Sequence, residues 1–252
     1  QADLARAVGN GELELAYQPL LDTASLRTAG FEALLRWRHP VRGLIRPDDF
    51  IPLAEESGLI VGIGEWAVRT ASAAAVKWPK ELSVAVNVST RQLADPHFVD
   101  TLVTALMDTG LDHRRLELEV TESALLRDAN LPILKAISDL GIGIALDDFG
   151  TGYSSLSYLQ RFQFSKLKID RTFIMSVPEN AKSKAIIGTV IDLARTLGMR
   201  VTAEGVETAE QFDWIAENCD QVQGFYIARP MPAAAIPGYL ATEAALPRRR
   251  QA

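Results

Sequence analysis

The sequence predicts an α/β protein, a TIM-like (β/α)8 barrel whose first strand is antiparallel to the others. Eight apolar segments of strand length recur along the chain, and helical patterns separate the later ones. A length of 252 residues is typical of a barrel built from such units. Only the stretch LDTAS separates the first two segments. It is too short for a crossover between parallel strands, so these two should form an antiparallel hairpin.

The elements follow in a regular order. A long connection after the second strand holds two helical patterns, at 47–57 and 63–78, and two later patterns, 101–110 and 183–198, each end at a glycine that favours a helix C-cap. The predicted strands are LELAYQPL, LRTAGFEALLRW, LSVAVNVS, RLELEVTE, GIALDDFG, SKLKID, RVTAEGVE and QVQGFYIA.

Composition bounds the organisation of the chain. With 48% hydrophobic and 23% charged residues it is globular, and it shows no linker, repeat or low-complexity stretch. We therefore expect one domain over 1–252, with a connector helix at 1–11 and a basic tail at 245–252. The short helical start looks like the end of a connector and suggests an output domain excised from a longer protein.

Charge and hydropathy narrow the partners and the compartment. No apolar run reaches the ~18 residues of a membrane span, and the start lacks the layout of a signal peptide. We expect a cytoplasmic location, or the cytoplasmic part of a larger membrane protein, and no membrane contact from this segment. The net charge of −6 disfavours capture of polymeric nucleic acid.

Cysteine and histidine usage restricts the kind of metal site. Cys219 is the only cysteine, which excludes an internal disulfide and a four-cysteine zinc site. The three histidines, His39, His97 and His113, are too scattered to suggest a histidine-rich site. Any metal would have to bind oxygen ligands.

A carboxylate in an apolar strand is the first sign of such a site. Glu32 stands in the middle of FEALLRWRHP, where an unpaired charge would be costly. Either it meets a partner inside the fold, such as Arg36 or a lysine from elsewhere, or it meets a metal ion.

Polar residues occur late in each of the later strands as well. In a barrel the carboxyl ends of the strands meet at one mouth, where active sites collect. Several carboxylates there would repel one another unless cations lay among them, and oxygen ligands suit Mg²⁺ or Mn²⁺. The predicted ring consists of Glu32, Asn87, Glu119, Asp147, Asp148, Lys168, Glu204 and Gln223.

Most members of the ring also have a simpler interpretation. Asn87, Gln223 and the Asp147-Asp148 pair can be turn residues. Glu117 with Glu119 can be a solvated strand face, and lysines at strand ends are often surface residues. The joint occurrence of polar residues at seven strand ends favours a site.

The ring residues lie in sequence blocks that resemble one protein family. The blocks are YQP, EALLRW, FIPLAEESG, NVS, ELEVTES, LDDFGTGYSSLSYL, KLKIDR, AEGVE and QGFYIARP. In this order and spacing they resemble the EAL-domain cyclic di-GMP phosphodiesterases, named for the triplet that stands here as Glu32-Ala33-Leu34. The resemblance covers nearly the whole chain. It implies a barrel with an antiparallel first strand.

The resemblance also implies an activity: metal-dependent hydrolysis of one phosphodiester bond of cyclic di-GMP to linear pGpG. Two cations about 3.5 to 4 Å apart would activate water and stabilise the transition state. Ca²⁺ should bind the same oxygens but inhibit, because its looser coordination leaves the water poorly polarised.

The resemblance further implies a role for individual residues. Lys168 and Glu204 should lie beside the attacking water, and Glu122 should anchor the DFGTGYSSL loop that carries Asp148. The metal ligands should be Glu32, Asn87, Glu119, Asp147 and Asp148, the substrate contacts Gln18, Leu35, Arg36 and Asp170, and the supporting residues Glu207 and Gln223.

Two other functions compete with this one. Some EAL-like domains are catalytically silent cyclic di-GMP receptors, usually with a degraded ligand or DDFG loop, and an enolase-type metal enzyme would also use carboxylates in a barrel. No ligand is degraded here, which favours the enzyme. The family further suggests a homodimer and sensory or regulatory domains in the full-length protein.

Overall fold

A closed barrel of eight strands forms the body of the structure, a computed structural model that describes residues 2–125, 128–150, 156–177 and 180–245. Two short strands extend the sheet beyond the barrel. In chain order the strands are β1 Leu13–Asp22, β2 Arg27–His39, β3 Gly43–Ile45, β4 Ser83–Val88, β5 Leu116–Thr121, β6 Gly143–Phe149, β7 Lys166–Ile169, β8 Arg200–Ala203, β9 Gln221–Val222 and β10 Met231–Pro232.

The first strand is the only barrel strand that runs against its neighbours among the described residues. β1 pairs antiparallel with β2 on one side and β9 on the other, and every other neighbouring pair in the barrel is parallel. The predicted fold class and hairpin are therefore confirmed. β3 pairs with β2 and β10 pairs with β1. Both are too short to produce a periodic pattern, and the sequence did not predict them.

Helices cover the outside of the barrel. α2 and α5 end at Gly58 and Gly110, which take the left-handed conformation that glycine adopts at little cost. The helices are α1 Ala2–Ala7, α2 Pro47–Ser57, α3 Ile60–Ala75, α4 Thr90–Leu93, α5 Phe98–Thr109, α6 Glu122–Leu125, α7 Leu131–Asp139, α8 Leu156–Arg161, α9 Arg171–Ile174, α10 Ala181–Thr196, α11 Ala209–Asn218 and α12 Ile236–Ala245.

The observed helices correct several predicted bounds. α5 begins three residues before the predicted 101–110 and ends one residue earlier, and α10 begins and ends two residues before the predicted 183–198. The helix predicted at 63–78 begins and ends three residues earlier, because the chain turns before Pro79, where a helix is disfavoured. The connector predicted at 1–11 is helical only over Ala2–Ala7. The predicted tail lies outside the described residues from position 246 onward. No described helix is long and apolar enough to cross a bilayer.

Alternation along the strands separates an apolar layer from a polar interior. In β5, Leu116, Leu118 and Val120 belong to the hydrophobic core between sheet and helices, while Glu117 and Glu119 take the other face. Burying each such side chain contributes about 1.5 to 3 kcal/mol. The barrel interior therefore receives charged residues, whereas branched apolar side chains commonly fill such barrels.

Candidate active site and metal centre

A buried lysine lies at the centre of the barrel mouth. The Nζ atom of Lys168, on β7, is 2.7 Å from Glu119 Oε2 and 2.5 Å from Glu204 Oε1. It is also 3.3 Å from Asp147 Oδ1 and 3.7 Å from Glu32 Oε2. Only 1% of the Lys168 side chain is exposed. The simpler interpretation of Lys168 as a surface residue is therefore wrong, and Glu32 does meet a lysine from elsewhere in the chain.

Amide side chains hold Glu32 from two sides. Asn87 Nδ2, at the end of β4, donates to Glu32 Oε1 at 2.7 Å, and Gln223 Nε2 donates to Glu32 Oε2 at 2.6 Å. Gln223 also donates to Gln18 Oε1 at 3.2 Å, and Gln18 donates to the carbonyl of Ala228 at 3.1 Å. These hydrogen bonds fix the orientation of the Glu32 carboxylate.

Asp147 and Asp148 lie at the end of β6, where the backbone leaves the regular strand. Asp148 has a φ of +55°, a conformation that aspartate tolerates better than most residues, and its N–H donates to Asp147 Oδ1 at 2.9 Å. Carboxylate oxygens of Asp147, Asp148 and Glu204 lie within 4.8 Å of one another. This separation allows one cation to bind all three.

Glycine is required directly after Glu204. Gly205 has a φ of +67°, and a Cβ at this position would lie 2.3 Å from Arg171 Cβ. The chain can therefore turn back past α9 only with glycine here, and this turn places Glu204 at the mouth.

The electrostatics of the cluster show a surplus of carboxylates. Burial, with repulsion from Asp147 and Glu32, raises the pKa of Glu204 to about 8, although Lys168 opposes the shift. Burial and the Glu32 charge raise the pKa of Glu119 well above its ordinary value. Burial alone would lower the pKa of Lys168, but the surrounding carboxylates raise it well above the ordinary value. The single positive charge of Lys168 does not balance the negative charge of these carboxylates.

The donor set fits a hard divalent cation. Glu119 Oε1 is buried and accepts no hydrogen bond from the described residues. A buried carboxylate oxygen without a donor is costly unless a cation binds it. The oxygen-only set, the free Glu119 oxygen and the surplus negative charge together make the cluster able to hold a metal ion.

Two clefts at the barrel mouth are lined by members of the cluster. The larger, about 810 Å³, lies against α2 and α3 and includes Asn87 and Asp148 in its wall. The smaller, about 260 Å³, includes Glu32 and Glu204. Members of the acidic cluster therefore line both clefts, so a ligand bound in either cleft would reach the carboxylates.

The predicted substrate contacts occupy different positions. Leu35 and Arg36 line the larger cleft, and Gln18 lines the smaller one. Asp170 lines neither cleft within the described residues. It caps α9 instead, accepting from Thr172 N at 2.9 Å and from Thr172 Oγ1 at 2.5 Å.

The two predicted supporting residues, Gln223 and Glu207, differ in burial and in contacts. Gln223 is buried and bonded to Glu32, as a support should be. Glu207 is exposed in the wall of the smaller cleft, and its carboxylate makes no hydrogen bond or ion pair with described residues. The supporting role of Glu207 therefore stays a prediction.

Glu122 begins α6, directly after β5. Its carboxylate is buried, and neither oxygen accepts a hydrogen bond from the described residues. The loop that it is predicted to anchor lies outside the described residues over 151–155.

Sequence reasoning missed a buried ion pair below the site and three residues that line its clefts. Glu117 is not on a solvated face but in a buried ion pair with Lys166. Arg91 lines the larger cleft, and Phe225 and Arg171 line the smaller one. Their positions just after strand ends were the available signal, since such residues meet at a barrel mouth.

Comparisons with known proteins agree with this geometry. The family model described as "EAL domain" matches residues 1–230. The bifunctional diguanylate cyclase/cyclic di-GMP phosphodiesterase MucR of Pseudomonas aeruginosa is 45% identical over 238 residues, which cover 92% of this chain and 35% of MucR. The cyclic di-GMP phosphodiesterase NbdA of the same organism is 42% identical over 247 residues, which cover 95% of this chain and 32% of NbdA. The chain thus spans about a third of the length of these relatives.

A solved structure gives the same result for the fold. The PaMucR phosphodiesterase in its c-di-GMP complex superposes with a TM-score of 0.89 at 44% identity, covering 93% of this chain and 98% of that one. The matched family model, these sequence identities and the shared barrel show that the chain belongs to the EAL domain family.

Proposed function

We propose that this domain hydrolyses one phosphodiester bond of cyclic di-GMP to linear pGpG in a reaction that requires Mg²⁺ or Mn²⁺. The observation that carries the proposal is the cluster of buried carboxylates around Lys168, beside two clefts at the barrel mouth. The names of MucR and NbdA and the c-di-GMP complex of PaMucR support the choice of substrate.

The metal ligands in this proposal come from four strands. Glu32 is already oriented by its bonds to Asn87 and Gln223, so its carboxylate loses little freedom on binding a cation. When bound, two cations supply a nucleophile at neutral pH and neutralise charge on the phosphate. We assign Glu32, Asn87, Glu119 and Asp147 to the first cation, and Asp147 with Asp148 to the second.

The chain's own residues position the reaction. Glu204 faces the smaller cleft and contacts Lys168. Bound cations would offset the carboxylate repulsion that raises its pKa, so that Glu204 can accept the proton of the attacking water while Lys168 holds the water in place by hydrogen bonding. Arg36 in the larger cleft can bind a phosphate, and Leu35 beside it offers an apolar surface to a base. Gln18 can contact the other half of the ligand from the smaller cleft.

The proposed substrate indicates where in the cell the domain acts. Cyclic di-GMP is a bacterial intracellular messenger, so we place the domain in the cytoplasm or on the cytoplasmic side of a larger protein. Regulatory or sensory regions beyond this chain are expected, because it spans about a third of its curated relatives.

One assay separates hydrolysis from binding alone. The purified domain should convert cyclic di-GMP to pGpG in Mg²⁺, measured by chromatography, and EDTA should abolish conversion. Glu32→Ala, Asn87→Ala and Asp147→Ala should each abolish it, while the exposed Asp139→Ala should not. Tight binding without turnover in any metal would favour a receptor and refute the proposed hydrolysis.

A further inference from the structure

A second buried ion pair lies one layer below Lys168 and Glu119. Lys166 Nζ is 2.6 Å from Glu117 Oε1, and the two side chains are only 5% and 13% exposed. Glu117 and Glu119 are two residues apart on β5, as Lys166 and Lys168 are on β7, so both pairs enter the barrel interior. The lower pair lines a cleft of about 620 Å³ at the opposite end of the barrel from the mouth. It therefore does not touch a ligand bound at the mouth.

Both ion pairs cross over β6, the strand that separates β5 from β7. On the interior face below Asp147, β6 carries only Gly143 and Ala145. A Cβ at Gly143 would lie 3.6 Å from Glu117 Cγ and 3.3 Å from Ser165 Oγ. The small residues on β6 therefore leave the space through which side chains of β5 reach β7.

Backbone pairing between β6 and β7 is interrupted beside the acidic cluster. Leu146 pairs with Leu167, but the next pair is Phe149 with Ile169, so the register shifts between them. The two residues skipped on β6 are Asp147 and Asp148. Regular strand pairing on this side therefore does not set the distance between Lys168 and Asp147.

We propose that Glu117 and Lys166 form a positioning pair that holds β7 in register with β5 and thereby holds Lys168 among its carboxylates. The pair lies one layer below the break, where Ala145 still pairs with Lys166, and it acts through Lys168 two residues further along β7. This inference depends on the proposed function, because its effect is a change in turnover. An ion pair that served stability alone would not separate turnover from substrate binding.

The test compares single variants with an exchanged pair. Lys166→Met and Glu117→Gln should each lower kcat about tenfold, since a misplacement near 1 Å can cost about 10²-fold. KM should stay within about twofold, because the pair lies away from both mouth clefts. The exchanged variant, Glu117→Lys with Lys166→Glu, should recover most of the lost kcat.

The control is an ion pair of the same length at the same end of the barrel. Arg114 Nη2 lies 2.6 Å from Asp112 Oδ2, with 75% of the Arg114 side chain exposed. Arg114→Met should leave kcat and KM unchanged. Circular dichroism and thermal unfolding establish that each variant is folded at the assay temperature. If Lys166→Met does not fold, the nearly isosteric Glu117→Gln decides.

Three outcomes would overturn the positioning role. A folded single variant could keep wild-type kcat, or the folded exchanged variant could fail to recover the lost kcat. The third outcome is a loss of kcat in the Arg114→Met control as large as that in Lys166→Met and Glu117→Gln. An inactive wild type would count against the proposed hydrolysis instead. A crystal structure of Glu117→Gln then decides the positioning role, because a Lys168 Nζ to Glu119 Oε2 distance still at 2.7 Å would contradict it.

Discussion

Replacing Lys168 with methionine should strongly destabilise the metal-free domain. Lys168 Nζ lies within 3.7 Å of four carboxylates. At an effective dielectric constant of about 20, a unit charge attracts another by about 6 kcal/mol at 2.7 Å and about 4.5 kcal/mol at 3.7 Å. Proton uptake by the surrounding carboxylates and the removal of a buried cation offset much of this loss. The net loss expected on breaking a buried pair is about 3 to 5 kcal/mol.

The assay is thermal unfolding in EDTA and in excess Mg²⁺ or Mn²⁺. In a domain of this size, each kcal/mol shifts Tm by roughly 2 to 4 °C, so Lys168→Met should lower Tm by about 10 °C in EDTA. Part of the loss should return with metal, because a dication brings positive charge to the same carboxylates. The control Lys135→Met, at an exposed position on α7, should melt like wild type.

Two results would refute this reasoning. If Lys168→Met melts within about 2 °C of Lys135→Met in EDTA, well below the expected shift, the carboxylates do not depend on the lysine charge. If Tm falls but metal restores none of it, the cation does not bind the carboxylates that surround Lys168.

Three further predictions test other parts of the site. Ca²⁺ should support cyclic di-GMP binding in calorimetry yet inhibit Mg²⁺-dependent pGpG formation, because its looser coordination polarises water less; fast turnover in Ca²⁺ alone would contradict the mechanism. Glu122→Ala should lower turnover about tenfold at saturating Mg²⁺ if this buried residue anchors the adjoining loop. The exposed Glu217→Ala should have no effect on turnover. Equal turnover rates in the two variants would contradict the anchor role. Gln223→Leu should raise the Kd for Mn²⁺ about 10-fold to 100-fold, because Glu32 loses the hydrogen bond that orients its carboxylate. The exposed Gln160→Leu should leave this Kd unchanged. An unchanged Kd in Gln223→Leu would show that the hydrogen bond does not affect metal binding by Glu32.

Much of the fold could be predicted from the sequence because its signals are local. The apolar segments, the glycine after α5 and the short first turn each depend on neighbouring residues only. The ring of site residues could be predicted for a related reason. The ends of parallel strands meet at one mouth whatever the details of packing, so Glu32, Asn87 and Glu119 had to converge.

Distances across the barrel were decided only by the tertiary structure. The sequence could not distinguish a surface lysine from Lys168 surrounded by carboxylates, because the ion pairs join residues far apart in the chain. Nor could it reveal that Glu117 is buried against Lys166, since strand periodicity assigns a face but not the partner on that face. Asp170 and Glu207 carry the expected residue types, yet one caps a helix and the other is exposed. Sequence by itself determined which residue types reach the mouth; the stagger of the strands and the turn after each strand decided which side chains meet there, because both depend on the closure of the whole barrel.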